Sequence, residues 1–208
     1  MNSIKYRRQL LQPSKVVCVG RNYTAHIEEL NNQVPDQPVI FLKPNSAISE
    51  HLQANSNEPI HYEGEISFLI IDGQLNAVAF GLDLTKRITQ TYLKANSLPW
   101  ERAKAFDGAA IFSEFVSIAS GVDNLRIELE INGRLAQQGG VSLMLNTPQN
   151  LLADIGSFMT FEDADILMTG TPAGIGQINN GDVFVGRILD GQDVLVEQQW
   201  HAADDSSF

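Results

Sequence analysis

Residues 60–71 constrain this chain more than any other segment. They are rich in β-branched and aromatic residues, and Asp72-Gly73 closes them with a turn signal. The spacing predicts one strand over 60–71. Side chains alternate between the two faces of a strand. Tyr62, Ile66, Phe68 and Ile70 then share one face, while Glu63 and Glu65 share the other with Leu69 and Ile71. At about 3.3 Å rise per residue, the two glutamate Cα atoms stand roughly 6.5 Å apart. Two carboxylates at the mouth of an apolar strand repel each other and lose hydration. They persist if a cation neutralises them or if that strand end is wet, and spacing alone leaves both open.

Asp83 bears on that choice. It ends the apolar segment 78–82 and directly precedes an amphipathic stretch, so it reads either as a helix cap or as a third carboxylate for the same site. Three carboxylates without a nearby histidine or cysteine suit a hard cation, Mg²⁺ or Mn²⁺, rather than Zn²⁺. His26 and Glu29 are spaced i,i+3 on a predicted helix, where a carboxylate can orient an imidazole as a general base. Lys104 sits between alanines in a segment with Trp100 and Phe106, either leaning on an anion or snorkelling to solvent. Arg87 and Gln90 share a helix face by spacing. The loop from Thr169 through Gly170 and Thr171 to Gly176 lacks the lysine of a phosphate-binding loop and the order of a dinucleotide fingerprint. It could still offer backbone N–H groups to a carboxylate.

Around these residues the pattern predicts further strands at 15–19, 39–42, 77–82, 125–131, 166–169, 183–188 and 194–196. Helices are predicted over 23–30, capped by Asn22, and over 84–95 and 148–158, with irregular chain at 31–38 and 46–59. Strand and helix do not alternate regularly, which argues against a doubly wound sheet. The expected class is α+β, mainly β, with residues 1–208 as one domain. Hydrophobic residues make up 43% of the chain, enough for a sizeable core and too many for disorder. The formal charge of −11 argues against nucleic-acid or anionic-membrane partners. Cys18 is the only cysteine, so neither an intrachain disulfide nor a cysteine zinc site can form, and its apolar surroundings mark it as a core residue. No apolar run approaches the roughly 20 residues of a membrane-spanning helix and no signal peptide is evident, so a cytoplasmic setting is expected.

Several motifs then fall into one order. Val17 to Tyr23 (with Gly20-Arg21-Asn22), His26 and Glu29, and Phe41-Leu42-Lys43-Pro44 come first. Glu63-Gly64-Glu65, Leu82-Asp83-Leu84-Thr85 with Arg87 and Gln90, and Pro99-Trp100 with Lys104 to Asp107 follow. Asn132-Gly133, Gln137 and Thr169-Gly170-Thr171-Pro172 complete the series. Over about residues 15–196 the chain resembles the fumarylacetoacetate hydrolase family, and among its members is similar to short bacterial acylpyruvases and dienedioate isomerases. The resemblance implies a mixed β-sandwich roll, a homodimer and a Mg²⁺ or Mn²⁺ site. By position it implies Glu63, Glu65 and Asp83 as ligands, and His26 with Glu29 as a water-activating dyad. It implies Lys104 as the enolate stabiliser, and Arg21, Arg87, Gln90, Gly170 and Thr171 around a small 2-oxo acid. The activity it implies is hydrolytic carbon–carbon cleavage of 2,4-dioxo acids such as acylpyruvates. The alternatives are oxaloacetate decarboxylation or keto–enol tautomerisation, dienedioate isomerisation, or a silent metal-binding member. The sequence departs from the family wording at Ile88, Val141, Leu143-Met144 and Ala164.

Overall fold

The apolar alternations in the sequence pair up into curled sheets. The computed structural model describes residues 1–29, 34–119 and 121–204. Strands hold 48% of the chain and helices 17%, so the fold is mainly β with few helices, as the pattern predicts. The largest sheet has eight strands. Seven run in the order Val39–Pro44, Lys15–Gly20, Ile166–Met168, Gly64–Ile71, Gln74–Asp83, Ala110–Phe112 and Ile48–Ser49. Val116–Ser117 pairs onto the outer half of Gln74–Asp83. A second sheet has five strands, in the order Arg134–Gly140, Leu125–Ile131, Val183–Asp190, Asp193–Asp204 and Leu52–Asn55. A small sheet sets Ile60–Tyr62 between Thr85–Lys86 and Gly176–Gln177.

The main core lies where the two large sheets face each other. Ile66, Phe68, Phe80 and Leu82 from one sheet meet Ile127, Leu129, Phe184, Ile188 and Trp200 from the other. The Phe80 and Trp200 ring centroids are 5.7 Å apart. Gly186 makes this contact possible, since a Cβ there would lie 2.5 Å from the Phe80 ring. The opposite face of the eight-stranded sheet is also covered, by a second cluster with Val16, Cys18, Leu69, Ala79, Ile166, Met168 and Phe115. Glu65 therefore lies in a strand that is buried on both faces. Truncating a side chain such as Phe80 in this core typically costs about 3–5 kcal/mol.

Four departures from the sequence pattern shape the site. The segment 60–71 is two strands rather than one, because the chain changes sheets at Glu63. The helix expected from residue 84 begins later and spans Arg87–Ala95. Thr85 and Lys86 are first drawn into pairing with His61 and Ile60. The Glu58 carboxylate then accepts from Ile88 N at 3.1 Å and Thr89 N at 3.2 Å, serving donors that a helix N-terminus leaves open. Asp83 is thus no helix cap. Asn22 is not one either: the helix spans Thr24–Glu29, and the Asn22 amide donates to Asn146 O and Thr169 O, tying three loops together. Within the expected loop 46–59, Ile48–Ser49 and Leu52–Asn55 are strands, each paired in parallel with a partner distant in sequence. The expected residue 30 and loop residues 31–33 lie outside the described residues. Among the described residues, no helix is long and apolar enough to cross a membrane.

Candidate metal centre

Glu63, Glu65 and Asp83 converge at the open end of the hairpin formed by Gly64–Ile71 and Gln74–Asp83. One carboxylate oxygen from each lies within 4.8 Å of the others, and all three residues are buried. The backbone fixes the entry and exit of the hairpin through Asp83 N donating to Glu63 O at 2.8 Å. Gly64 N donates to Gln137 Oε1 at 2.8 Å, and Thr171 Oγ1 donates to Gly64 O at 2.8 Å. Gln137 Nε2 in turn donates to Thr171 Oγ1 at 2.9 Å. The Glu-x-Glu turn is therefore clamped on both sides of its glycine.

The glycine-rich loop supplies N–H groups to carboxylates of the chain itself. Gly170 N donates to Glu65 Oε2 at 2.8 Å, and Gly174 N donates to Glu29 Oε1 at 3.0 Å. Gly170 sits at φ +96°, and a Cβ there would lie 2.9 Å from Asn22 Cβ and 3.0 Å from Val19 O, so only glycine fits without strain.

Cations compensate two of the carboxylates and leave the third. Lys104, on the short helix Glu101–Lys104, donates to Glu63 Oε2 at 2.9 Å, Asp83 Oδ2 at 2.7 Å and Thr85 Oγ1 at 2.6 Å. Arg87 bonds Glu63 Oε1 and donates to Gln90 Oε1 at 2.6 Å. Lys43 Nζ lies 2.8 Å from Asp83 Oδ1 as an ion pair outside hydrogen-bonding geometry, while donating to the carbonyls of Leu84 and Lys104. Burial alone would raise the Glu63 pKa, but Lys104, Arg87 and His26 hold it well below the usual carboxylate range. Burial, then Asp83 and then Glu63, push Glu65 well above that range. Burial opposes the charge on Lys104 as well, yet Asp83 and Glu63 hold its pKa above the ordinary lysine value. Glu65 has a single N–H donor and no ion-pair partner among the described residues. An all-oxygen donor set with one buried carboxylate lacking a cation fits a hard divalent ion.

His26 Nδ1 stands 3.2 Å from Glu29 Oε2, and Glu29 is anchored by the Gly174 donor on its other oxygen. His26 is buried and close enough to lower the pKa of Glu63. Arg21 adopts φ +58°, and its Nε is buried without a partner. Of the eleven residues singled out in the sequence, Glu63, Glu65, Asp83, Arg87, Gln90, Lys104, Gly170 and Thr171 are joined by these bonds, and His26 and Glu29 form a pair held by Gly174, whereas Arg21 is not among the bonded groups. Sequence reasoning gave no role to Lys43, Gln137 or Lys94. Lys43 could have been found as a lysine inside an apolar strand: it is fully buried while its neighbour Leu42 is 40% exposed. Cys18 is a buried thiol whose pKa is raised by burial and then by Asp83, as expected of a core residue rather than a nucleophile.

Curled sheets with a carboxylate triad able to hold a metal and an imidazole–carboxylate pair beside it define a β-rich enzyme. The chain belongs to the fumarylacetoacetate hydrolase family, whose model, fumarylacetoacetate (FAA) hydrolase C-terminal, matches residues 15–198. It is 35% identical over 204 residues to the mitochondrial oxaloacetate tautomerase oaa1 of Schizosaccharomyces pombe, covering 88% of this chain and 92% of that protein. A solved structure from Oleispira antarctica, described as a fumarylacetoacetate isomerase/hydrolase, superposes with a TM-score of 0.91 at 32% identity, covering 97% of this chain and 100% of the other. The fumarylpyruvate hydrolase of Pseudomonas aeruginosa, solved with Mn²⁺ and pyruvate, gives a TM-score of 0.87 at 26% identity, with 98% and 96% covered.

Proposed function

We propose that this chain is a divalent-metal-dependent tautomerase of oxaloacetate or a close 2-oxo dicarboxylic acid, interconverting its enol and keto forms. The convergence of Glu63, Glu65 and Asp83 next to His26 carries the reading. The relative named for oxaloacetate tautomerase, similar over nearly its whole length, supports this over carbon–carbon hydrolysis. The sequence alone puts hydrolysis first, because it exposes the shared site and not the pocket beyond it.

Glu63, Glu65 and Asp83 would hold Mg²⁺ or Mn²⁺, and the bound ion would act as a Lewis acid polarising the 2-oxo group. Tautomerisation requires one proton to move between carbon 3 and the enol oxygen. His26, paired with Glu29, which Gly174 N holds, would move that proton. The Lys104 ammonium, fixed by three acceptors, supplies positive charge beside the developing enolate. Arg21, Arg87, Gln90, Gly170 and Thr171 shape the space around the substrate. The resemblance to family members extends this proposal to a homodimer of a one-domain chain in the cytoplasm.

A second reading is hydrolysis of a 2,4-dioxo acid, with His26 activating water. It is favoured by the similarity to a fumarylpyruvate hydrolase. The enol absorbance of oxaloacetate gives the direct test. His26→Ala should slow interconversion by about 10²–10⁴-fold, the range of general base catalysis, with Mn²⁺ affinity unchanged. Undiminished conversion in that variant sinks the role of His26. Wild-type cleavage of acetylpyruvate without oxaloacetate interconversion makes the chain a hydrolase instead.

A further inference from the structure

The strand Val39–Pro44 is one edge of the eight-stranded sheet. Residues two apart on a strand share a face. Leu42 and Pro44 of this edge are exposed, and Phe41 and Lys43 share the other face. Lys43 is fully buried, and the Phe41 ring centroid lies 5.1 Å from Lys104 Nζ. The inner face of the edge strand is therefore a wall against Lys104. Lysines on edge strands commonly guard against edge-to-edge pairing. A guarding lysine keeps its head in water, and Lys43 does not.

The Lys43 ammonium is anchored at two backbone points. It donates to Leu84 O at 3.3 Å, one residue past Asp83, and to the carbonyl of Lys104. Lys104 closes a helix of four residues, too short to hold its own conformation. Its carbonyl is among those that a helix C-terminus leaves open, and a lysine ammonium is a fitting donor there. The same Nζ stands 2.8 Å from Asp83 Oδ1. Asp83 Oδ2 is taken by Lys104, whereas Oδ1 is buried without a hydrogen-bond donor. Lys43 thus lends Oδ1 its charge and leaves its accepting capacity open. Charge alone would repel an incoming cation. What Lys43 contributes is the geometry it fixes between Asp83 and Lys104.

We propose that Lys43 is a positioning residue of the metal centre. It holds Asp83 Oδ1 ready for the ion and fixes the Lys104 backbone from which the second ammonium reaches Glu63 and Asp83. One side chain of the edge strand thereby sets both a ligand and the cation beside it. The inference rests on the proposed function only in taking Glu63, Glu65 and Asp83 as the ligands. The competing account is that Lys43 supports the fold alone, as a buried cation beside a buried carboxylate.

The test is calorimetric titration of the metal-free protein with Mn²⁺. Lys43→Met keeps the stem and removes the charge and the donors. It should weaken Mn²⁺ binding roughly ten- to a hundredfold, the usual effect of losing a supporting partner of a metal ligand. Binding that is unchanged or tighter overturns the proposal, because Lys43 then serves the fold alone or merely competes with the ion. A double-mutant cycle with Asp83→Asn, read as melting temperature without metal, tests the tie itself. Lys43→Met should cost clearly less in the Asp83→Asn background than in the wild type, since the carboxylate that it leaves uncompensated has gone. Additive losses overturn the tie. If Lys43→Met alone does not fold, folding of the double variant supports the tie and its failure to fold overturns it. Wild-type protein that binds no Mn²⁺ would refute the metal reading, while the metal-free cycle still decides whether Lys43 holds Asp83.

Discussion

Two buried carboxylates of this chain meet opposite fates. Asp165, at the turn before Ile166–Met168, is fully buried and accepts from five donors. Ser14 N, Ser14 Oγ and Lys15 N reach Oδ1 at 3.0, 2.7 and 3.0 Å. Lys15 Nζ and Glu162 N, the latter at 2.8 Å, reach Oδ2. Burial alone would raise its pKa, but these donors, led by Lys15, bring it below the ordinary aspartate value. Glu65 is equally hidden, receives one N–H, and faces two like charges, so its pKa goes up. Burial is common to both, and the partners decide the outcome. Asp165 is satisfied by the fold, whereas Glu65 is left for something the chain does not itself contain.

Substituting each in turn breaks or sharpens this contrast. Glu65→Gln should abolish metal-dependent turnover, by more than the roughly 10–100-fold lost when only a supporting partner of a metal ligand is removed. It should also erase the rise in melting temperature that Mn²⁺ gives the wild type, about 2.7 kcal/mol at a hundred times the dissociation constant. The metal-free variant should be no less stable than metal-free wild type, because a repulsion has gone. A metal-free variant that melts lower would mean that Glu65, too, is a structural group. Asp165→Asn should do the reverse, leaving kcat/KM within about twofold and destabilising the chain by about 1–3 kcal/mol, read by denaturant titration. Its folded pKa is depressed, so its stabilisation is complete above the ordinary value of 3.8 and fades as pH falls through the lower folded value. The variant should therefore lose stability less steeply than wild type below that pH. Smallest is Ala164→Gly. Ala164 adopts φ +75°, where a glycine is unstrained, so the change should raise stability by about 0.5–1 kcal/mol without altering turnover. No gain in melting temperature would show that the surrounding turn already absorbs the strain.

The legibility of the sequence followed the range of the interactions. Strand alternation put Ile66, Phe68 and Ile70 in the main core and left Glu65 and Leu69 on the other face, and the structure has them so. It did not reveal that the chain changes sheets at Glu63, because that switch depends on Gln137 and Thr171, more than seventy residues away. Leu52–Asn55 escaped for a related reason, since it pairs in parallel with residues 202–204, about 150 residues away. Most of Asp193–Asp204 pairs antiparallel with the neighbouring Val183–Asp190 and escaped because residues 197–199 are polar and exposed. At the site, the acidic residues stood out by type and spacing. Their cationic partners stood out less, since Lys43, Arg87 and Lys104 come from three separate elements, and spacing alone left Lys104 between an anion and solvent and gave Lys43 no role.

Asp83 N donates to Glu63 O where the two strands of the longest central hairpin part company. Hairpins fray from their open ends, and that end is where the three carboxylates meet. An ion held there would act as a clasp on the hairpin. Losing the ion and opening the first rungs of the ladder would then be one motion. Amide exchange at Gly64, Glu65 and Leu82 would report metal occupancy as directly as any assay of turnover.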